Sequence, residues 1–369
     1  MTSLWDRRHF LLTSLTPVVA SLRRVGAQDP PRDDIAAATR DLITPETEAA
    51  IQRGLEYLTR SQHPNGSWGE RHYQGNIAVT SLAALAFMAG GHQPSRGAYG
   101  KVVESAIEYV LAKESRETPG FLFAPGGNNF GAMYSHGFGT LLLGEAYGMV
   151  SKRDLQKRLR ETLERAVALI IKAQNKAQGG WRYDIHGTSA DVSVTICQIM
   201  ALRSARNAGI KVPKDVVDRC IKYVKACQNR DGGFNYMLGT RDNSAFPRSA
   251  AGVVALYCAG IYEGKEIESG LNYLMQFKPQ ASRFSGFGGR GLSDMHYFYG
   301  QYYAVQAMWT AGGRYWQEWY PAIRDELLMR ARQRNDGAWS DPTVCTDYGT
   351  AMALIILQVP NNYLPIMQK

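Results

Sequence analysis

The sequence predicts an all-α fold, a closed (α/α)6 barrel of six helical hairpins, and three observations predict it. A Gly-aromatic marker recurs at Trp68, Phe121, Trp181, Phe234, Phe287 and Trp339, spaced by 53, 60, 53, 53 and 52 residues. Ahead of the markers apolar residues fall on one helical face, whereas behind them they fall on nearly every side, which separates outer from inner helices. The last apolar segment, residues 351–357, is as buried in character as the others, so the array closes on itself instead of ending in a polar cap.

The marker carries its own rationale. Gln62, Gly66 and Trp68 share a Gln-x-x-x-Gly-x-aromatic spacing with Gln228, Gly232 and Phe234, and with Gln333, Gly337 and Trp339. Gln174 with Gly179 and Trp181 has one residue more, while Phe121 and Phe287 keep only the preceding Gly. Glycine adopts backbone angles other residues avoid, the Gln amide can satisfy open backbone groups at helix ends, and the ring can cover the junction. These residues are therefore read as structural. Among the outer segments, Leu155, Leu159, Leu163, Val167, Ile170 and Ile171 step by three and four, with Ser151 as N-cap. Val216, Val217, Cys220, Ile221 and Val224 repeat the pattern after Pro213, which suits a first turn. The inner helices are expected over residues 77–88, 192–202, 250–262, 302–309 and 351–357.

The chain has 369 residues, 45% of them hydrophobic, enough for a sizeable core. Arg7 and Arg8 precede a mostly apolar stretch at 10–22, then Arg23, Arg24 and small residues to Ala27, a pattern expected of a twin-arginine export signal and hence of a periplasmic protein. The domain reading is a signal at 1–27, a linker at 28–43 and the helical barrel at 44–369. The formal charge is +9, about a third of it in the leader, and the basic residues are dispersed, which argues against nucleic acid as a partner. No later apolar run reaches transmembrane length without a polar break, so the mature chain is expected to be soluble or peripheral, with a membrane surface as an open partner class. Five cysteines without a C-x-x-C spacing are expected as buried free thiols. Cys220 and Cys227 lie ~10 Å apart along one helix, out of disulfide reach.

At this point the chain resembles the terpenoid cyclase and protein prenyltransferase β-subunit superfamily, whose repeats carry a Gln-to-Trp signature. It is most similar to the bacterial prenyltransferase/squalene oxidase repeat, squalene–hopene cyclase-like group. The markers carry the resemblance, together with the late stretches Tyr297–Tyr303, Ala311–Trp316, Gly337–Trp339, Thr350–Leu354 and Tyr363–Pro365. It spans residues 44–365 and implies an isoprenoid or other hydrophobic small molecule in a central cavity. The group's cyclases protonate a polyene with the middle acid of Asp-x-Asp-Asp, but Ser193 stands in that place after Asp191. Its protein prenyltransferases hold zinc with Asp-x-Cys and a His, and neither Asp191-Val192-Ser193 nor Asp294-Met295-His296 reproduces that set.

If the inner helices run the same way, the polar residues after each marker gather at one mouth. Asp191, Asp294 and Asp347 have two readings there, helix capping or a general acid in an apolar cavity, with His296 beside Asp294 as a further catalytic candidate. No cofactor is required, although Asp294, His296 and Asp347 together could take zinc. Candidate ligand contacts are His136, Thr195, Arg248, Tyr297, Tyr299, Tyr302 and Trp309; the aromatics could face a cationic intermediate or an apolar ligand, or form core. Arg182, Arg241, Arg248, Arg283 and Arg290 fall between marker and inner helix and could make a basic rim. Three functions stay open: a toroid that binds and transforms an isoprenoid, a non-catalytic binding or scaffold toroid, and a carbohydrate-active barrel.

Overall fold

Inner and outer helices alternate along the chain, as the burial pattern requires. The computed structural model describes residues 42–124, 131–240, 243–280, 296–332 and 334–368, and among them are twelve α-helices and no strand longer than an isolated bridge. The outer helices are α1 (Pro45–Ser61), α3 (Gly100–Ala112), α5 (Arg153–Ala173), α7 (Lys214–Ala226), α9 (Lys265–Met275) and α11 (Gly313–Arg332). The inner ones are α2 (Ile77–Ala89), α4 (Ala132–Tyr147), α6 (Val192–Asn207), α8 (Phe246–Cys258), α10 (Tyr297–Ala311) and α12 (Thr346–Gln358). Every residue of α2 except Ala78 is buried, whereas α7 buries only Val216, Cys220, Tyr223 and Val224. Two expectations shift. The third outer helix begins at Arg153 after Lys152, with no side-chain cap, so Ser151 lies outside it. The fourth inner helix begins at Phe246 and ends at Cys258, because Pro247 starts it and Gly260 follows it.

Each inner helix packs against the next, and α12 returns to α2, which closes the ring. The outer helices lie against the inner helix before them, and α1 completes the pattern by lying on α12. At the seam, Gln358 Nε2 donates to Ala86 O at 2.9 Å and Asn361 Nδ2 to Ala89 O at 3.3 Å. No described helix is long and apolar enough to cross a membrane. All five cysteines are buried and free.

Three of the described turns between outer and inner helices share one set of bonds. Gln174 Nε2 donates to Gly179 O and to Val216 O of the next outer helix, at 2.7 and 2.9 Å. Gln62 does the same to Gly66 and Val102, and Gln228 to Gly232 and Glu266. The indole N–H groups of Trp68, Trp181 and Trp339 donate to Leu58, Ile170 and Leu327 carbonyls of the preceding outer helix. Gly179 has φ 97, and a Cβ there would stand 2.3 Å from the Arg219 carbonyl oxygen, so only glycine permits the approach. Gly337 meets Arg53 O of α1 in the same way, so the sixth turn docks on the first helix.

The second turn departs from the expected register. Leu122, not Phe121, takes the buried ring position, and Phe121 is only half-buried beside it. Glu114 stands in for the missing Gln, accepting from Gly120 N–H at 2.7 Å and from Arg165 and Thr162 of the next outer helix. Phe287 and Gln333 lie outside the described residues.

Trp181 is fully buried and hydrogen-bonded, so Trp181→Ala is expected to cost ~3–5 kcal/mol, read as a lower midpoint in urea unfolding with an unchanged slope.

Candidate functional site

First turns of inner helices meet at one end of the ring, as where Tyr299 of α10 reaches Ser193 of α6. Asp191 caps α6 there. Its Oδ1 accepts from Val194 N–H at 2.8 Å and its Oδ2 from Arg182 Nη1 at 2.9 Å. Burial pushes its carboxyl up to about 6, against the pull of the Val194 N–H and Arg182. Arg182 also donates to Tyr236 Oη at 2.8 Å, and its guanidinium lies 4.3 and 5.3 Å from the ring centroids of Tyr183 and Tyr236, whose hydroxyls bond each other.

Around this pair the end of the ring carries a cluster of tyrosines. Tyr134 stands 6.1 Å, centroid to centroid, from Tyr183, and Tyr299 donates to Ser193 O at 3.0 Å. Tyr348, on α12, neighbours Tyr299. Tyr134, Ser193, Tyr299 and Tyr348 are half-buried, and burial raises all three phenols far above their ordinary range, so the hydroxyls keep their protons. One turn deeper on the same helices, Phe138, Cys197 and Tyr303 are buried. Tyr302 meets Phe138 at 6.4 Å across the ring and points its hydroxyl at Met200 Sδ, 3.7 Å away, while Tyr303 Oη lies 3.4 Å from Cys197 Sγ. These buried side chains form an aromatic floor one helical turn, ~5 Å, below the tyrosine cluster.

Several residues read from the sequence as site candidates have other work. Thr195 is fully buried and accepts the Trp181 backbone N–H at 3.0 Å; Thr80, Ser249 and Thr350 do the same for Trp68, Phe234 and Trp339. His136 takes that place in the second repeat, its Nδ1 accepting from Leu122 N–H at 3.3 Å. Burial brings its pKa down to about 4, so the imidazole is neutral. Arg248 braces its own loop, donating to Phe234 O at 2.9 Å and to Asn243 O. Tyr297 lies under the Arg330 guanidinium, 3.8 Å from its ring centroid, facing the outer layer.

Asp347 is buried and accepts from Gly69 N–H at 2.9 Å, tying the sixth repeat to the first turn. His296 is exposed, in the left-handed conformation at φ 66 just before α10. Asp294, Arg241, Arg283 and Arg290 lie outside the described residues. No group of three His, Cys, Asp or Glu suited to a metal occurs among the described residues. Trp309 belongs to the opposite end, ~18 Å along α10 from Tyr297, where its indole donates to Met367 O at 3.0 Å. Sequence reasoning missed Tyr134 and Tyr348 as one lining with Tyr299, and the signal available was a tyrosine in the first turn of α4, α10 and α12.

A family model described as the prenyltransferase alpha-alpha toroid domain matches residues 146–299. The chain folds as an α-α toroid. Among solved structures, the toroid resembles a type II terpene cyclase from Scytonema, at 14% identity and a TM-score of 0.57, over 87% of this chain and 100% of that one. A variant of the same cyclase holding geranylgeranyl dihydroxybenzoate, its substrate, matches at 12% identity and a TM-score of 0.56, over 86% and 98%. An inactive variant of an α-1,6-mannanase from Salegentibacter, complexed with α-1,6-mannotriose, matches at 9% identity and a TM-score of 0.61, over 86% and 99%. At these identities the likeness is one of fold. No curated protein matches the toroid by sequence.

The raised Asp191 pKa carries a sign. The folded state holds this proton more tightly than the unfolded chain, so the group's contribution to stability is greatest at low pH and falls as pH rises from about 4 to about 6. Asp191→Asn, which keeps a capping oxygen, is expected to flatten that part of the profile by up to roughly 3 kcal/mol, checked by urea unfolding at pH 4, 5, 6 and 7.

Proposed function

We propose that this toroid binds a hydrophobic small molecule of isoprenoid type by one end, in a shallow cup formed by these tyrosines, and does not itself protonate it. The observation that carries this reading is the half-buried tyrosine lining above a closed floor, with Tyr134, Tyr299 and Tyr348 offering ring faces and hydroxyls at one level. Ring faces attract apolar and cationic groups, and a cup one turn deep accommodates the end of a ligand instead of a whole folded chain. Both Asp191 oxygens are engaged, by the helix it caps and by Arg182, and Ser193 stands where the cyclases of the resembling group carry their acid. A serine hydroxyl is too weak an acid to protonate an alkene. The fold likeness to a cyclase crystallised with a geranylgeranyl substrate supports the ligand class.

One observation favours a second reading. Tyrosine faces combined with hydroxyls, a carboxylate and an arginine also suit a glycan, and the fold likeness to a mannanase supports that alternative. Titration of the mature protein with geranylgeraniol and with α-1,6-mannotriose, followed by native mass spectrometry, separates them. Geranylgeraniol is expected to bind one to one, and Tyr134→Ala or Tyr348→Ala to weaken it about tenfold, ~1.4 kcal/mol, with little change in melting. Binding of mannotriose alone would establish the glycan reading, and a cyclised product would overturn the claim that the toroid does not protonate its ligand.

We further propose that the chain is exported. Arg7 and Arg8 ahead of the apolar stretch at 10–22, with five cysteines that need no oxidising compartment, support this. Arg7→Lys with Arg8→Lys is expected to leave uncleaved precursor in the cytoplasm, seen by fractionation and intact mass.

A further inference from the structure

The end of the ring opposite the cup is covered by the chain's own last residues. After α12, a 3-10 turn at Val359–Asn361 leads to Asn362 in the left-handed conformation, and a second at Pro365–Met367 lies against α6 and α10. Three side chains from three inner helices bond this segment, each at a backbone atom. Glu145 Oε2 of α4 accepts from Ile366 N–H at 3.0 Å, Trp309 Nε1 of α10 donates to Met367 O at 3.0 Å, and Arg203 Nη2 of α6 donates to Gln368 O at 2.8 Å. The pocket therefore reads main chain, while Leu364, Ile366 and Met367 fill it with apolar side chains.

Glu145 and Arg203 are both buried and have partners of their own. Glu145 accepts from Ser204 at 2.6 Å, and Arg203 donates to Tyr257 O at 2.9 Å and to Tyr262 Oη at 2.6 Å. Burial pushes the Glu145 carboxyl up to about 7. Such groups are costly to bury unless paired, and each gives one of its bonds to the segment. The hinge differs from the pocket: Asn362 and Tyr363 are exposed. The seam bonds of Gln358 and Asn361 lie upstream of Asn362, so the segment can leave without opening the ring.

We propose that residues 363–368 form a displaceable strap, an intramolecular ligand that swings out about Asn362 and vacates the pocket lined by Glu145, Arg203 and Trp309. What would take its place there rests on the reading of the toroid as a binding protein; the opening itself does not.

Hydrogen exchange of the full mature protein, read by mass spectrometry on peptides spanning 363–368, tests the opening. The strap amides are expected to exchange at least tenfold faster than those of α2 and α6, and Trp309→Phe to add about tenfold at the strap alone. Strap exchange at the rate of α2 in both proteins would overturn the proposal, because the segment would then open only with global unfolding. A chain ending at Asn362 tests the vacated pocket with the apolar fluorophore N-phenyl-1-naphthylamine. It is expected to unfold cooperatively and to bind one equivalent that the full chain excludes. A truncated chain that does not fold, or that folds and takes up no more probe than the full chain, would sink the idea of a vacated pocket. Failure of geranylgeraniol to bind the cup would leave the exchange result untouched, so the two ideas fail separately.

Discussion

The ring depends on one close approach repeated around it: a turn glycine pressed against a main-chain carbonyl of the next outer helix. At Gly66, Gly120, Gly179 and Gly232 an added Cβ would fall 2.2–2.4 Å from that oxygen. The Gln amide spans the same gap, bonding its own turn and the neighbouring helix at once. Each hairpin thereby fixes the position of the next, which is how an array of short-range contacts acquires a definite curvature. Gly337 against Arg53 is the same contact made between last and first, and it turns an array into a ring.

Closure has a consequence for the centre. Six inner helices of this diameter leave room on the axis for side chains, and large residues fill it. Tyr302, Tyr303, Phe138, Met200 and Cys197 meet there, so the lumen is a packed floor and not a tunnel. Accessible chemistry is displaced to the two ends. At one end, half-buried tyrosines surround a buried ion pair. At the other, a buried carboxylate and guanidinium hold a stretch of backbone. The two ends differ because helix N-termini offer N–H groups that Asp191 and Asn76 can satisfy, whereas the opposite ends offer carbonyls.

The polar residues in the inner helices illustrate how the repeat consumes functional-looking groups. A hydroxyl or imidazole near the start of an inner helix reads as a candidate ligand contact. In five repeats that group instead accepts the backbone N–H of the residue in the marker's ring position, a donor that burial would otherwise leave open. Asp347 behaves alike, spending an oxygen on Gly69 across the seam.

The sequence by itself determined the all-helical fold, the alternation of inner and outer helices and most of the turn chemistry, because these rest on local periodicity and on residues a few positions apart. It misplaced Phe121 by one residue, since Leu122 can fill the same buried position and Glu114 can replace the glutamine. It grouped Trp309 with Tyr297, though ~18 Å of helical rise sends them to opposite ends. What only the tertiary structure decided was which side chains share a space. The gathering of Tyr134, Tyr183, Tyr299 and Tyr348 at one level follows from ring closure, and so does the meeting of Glu145 with Ile366. Residues more than a hundred positions apart become neighbours through the curvature of the whole ring, and no periodicity in the chain encodes that distance directly.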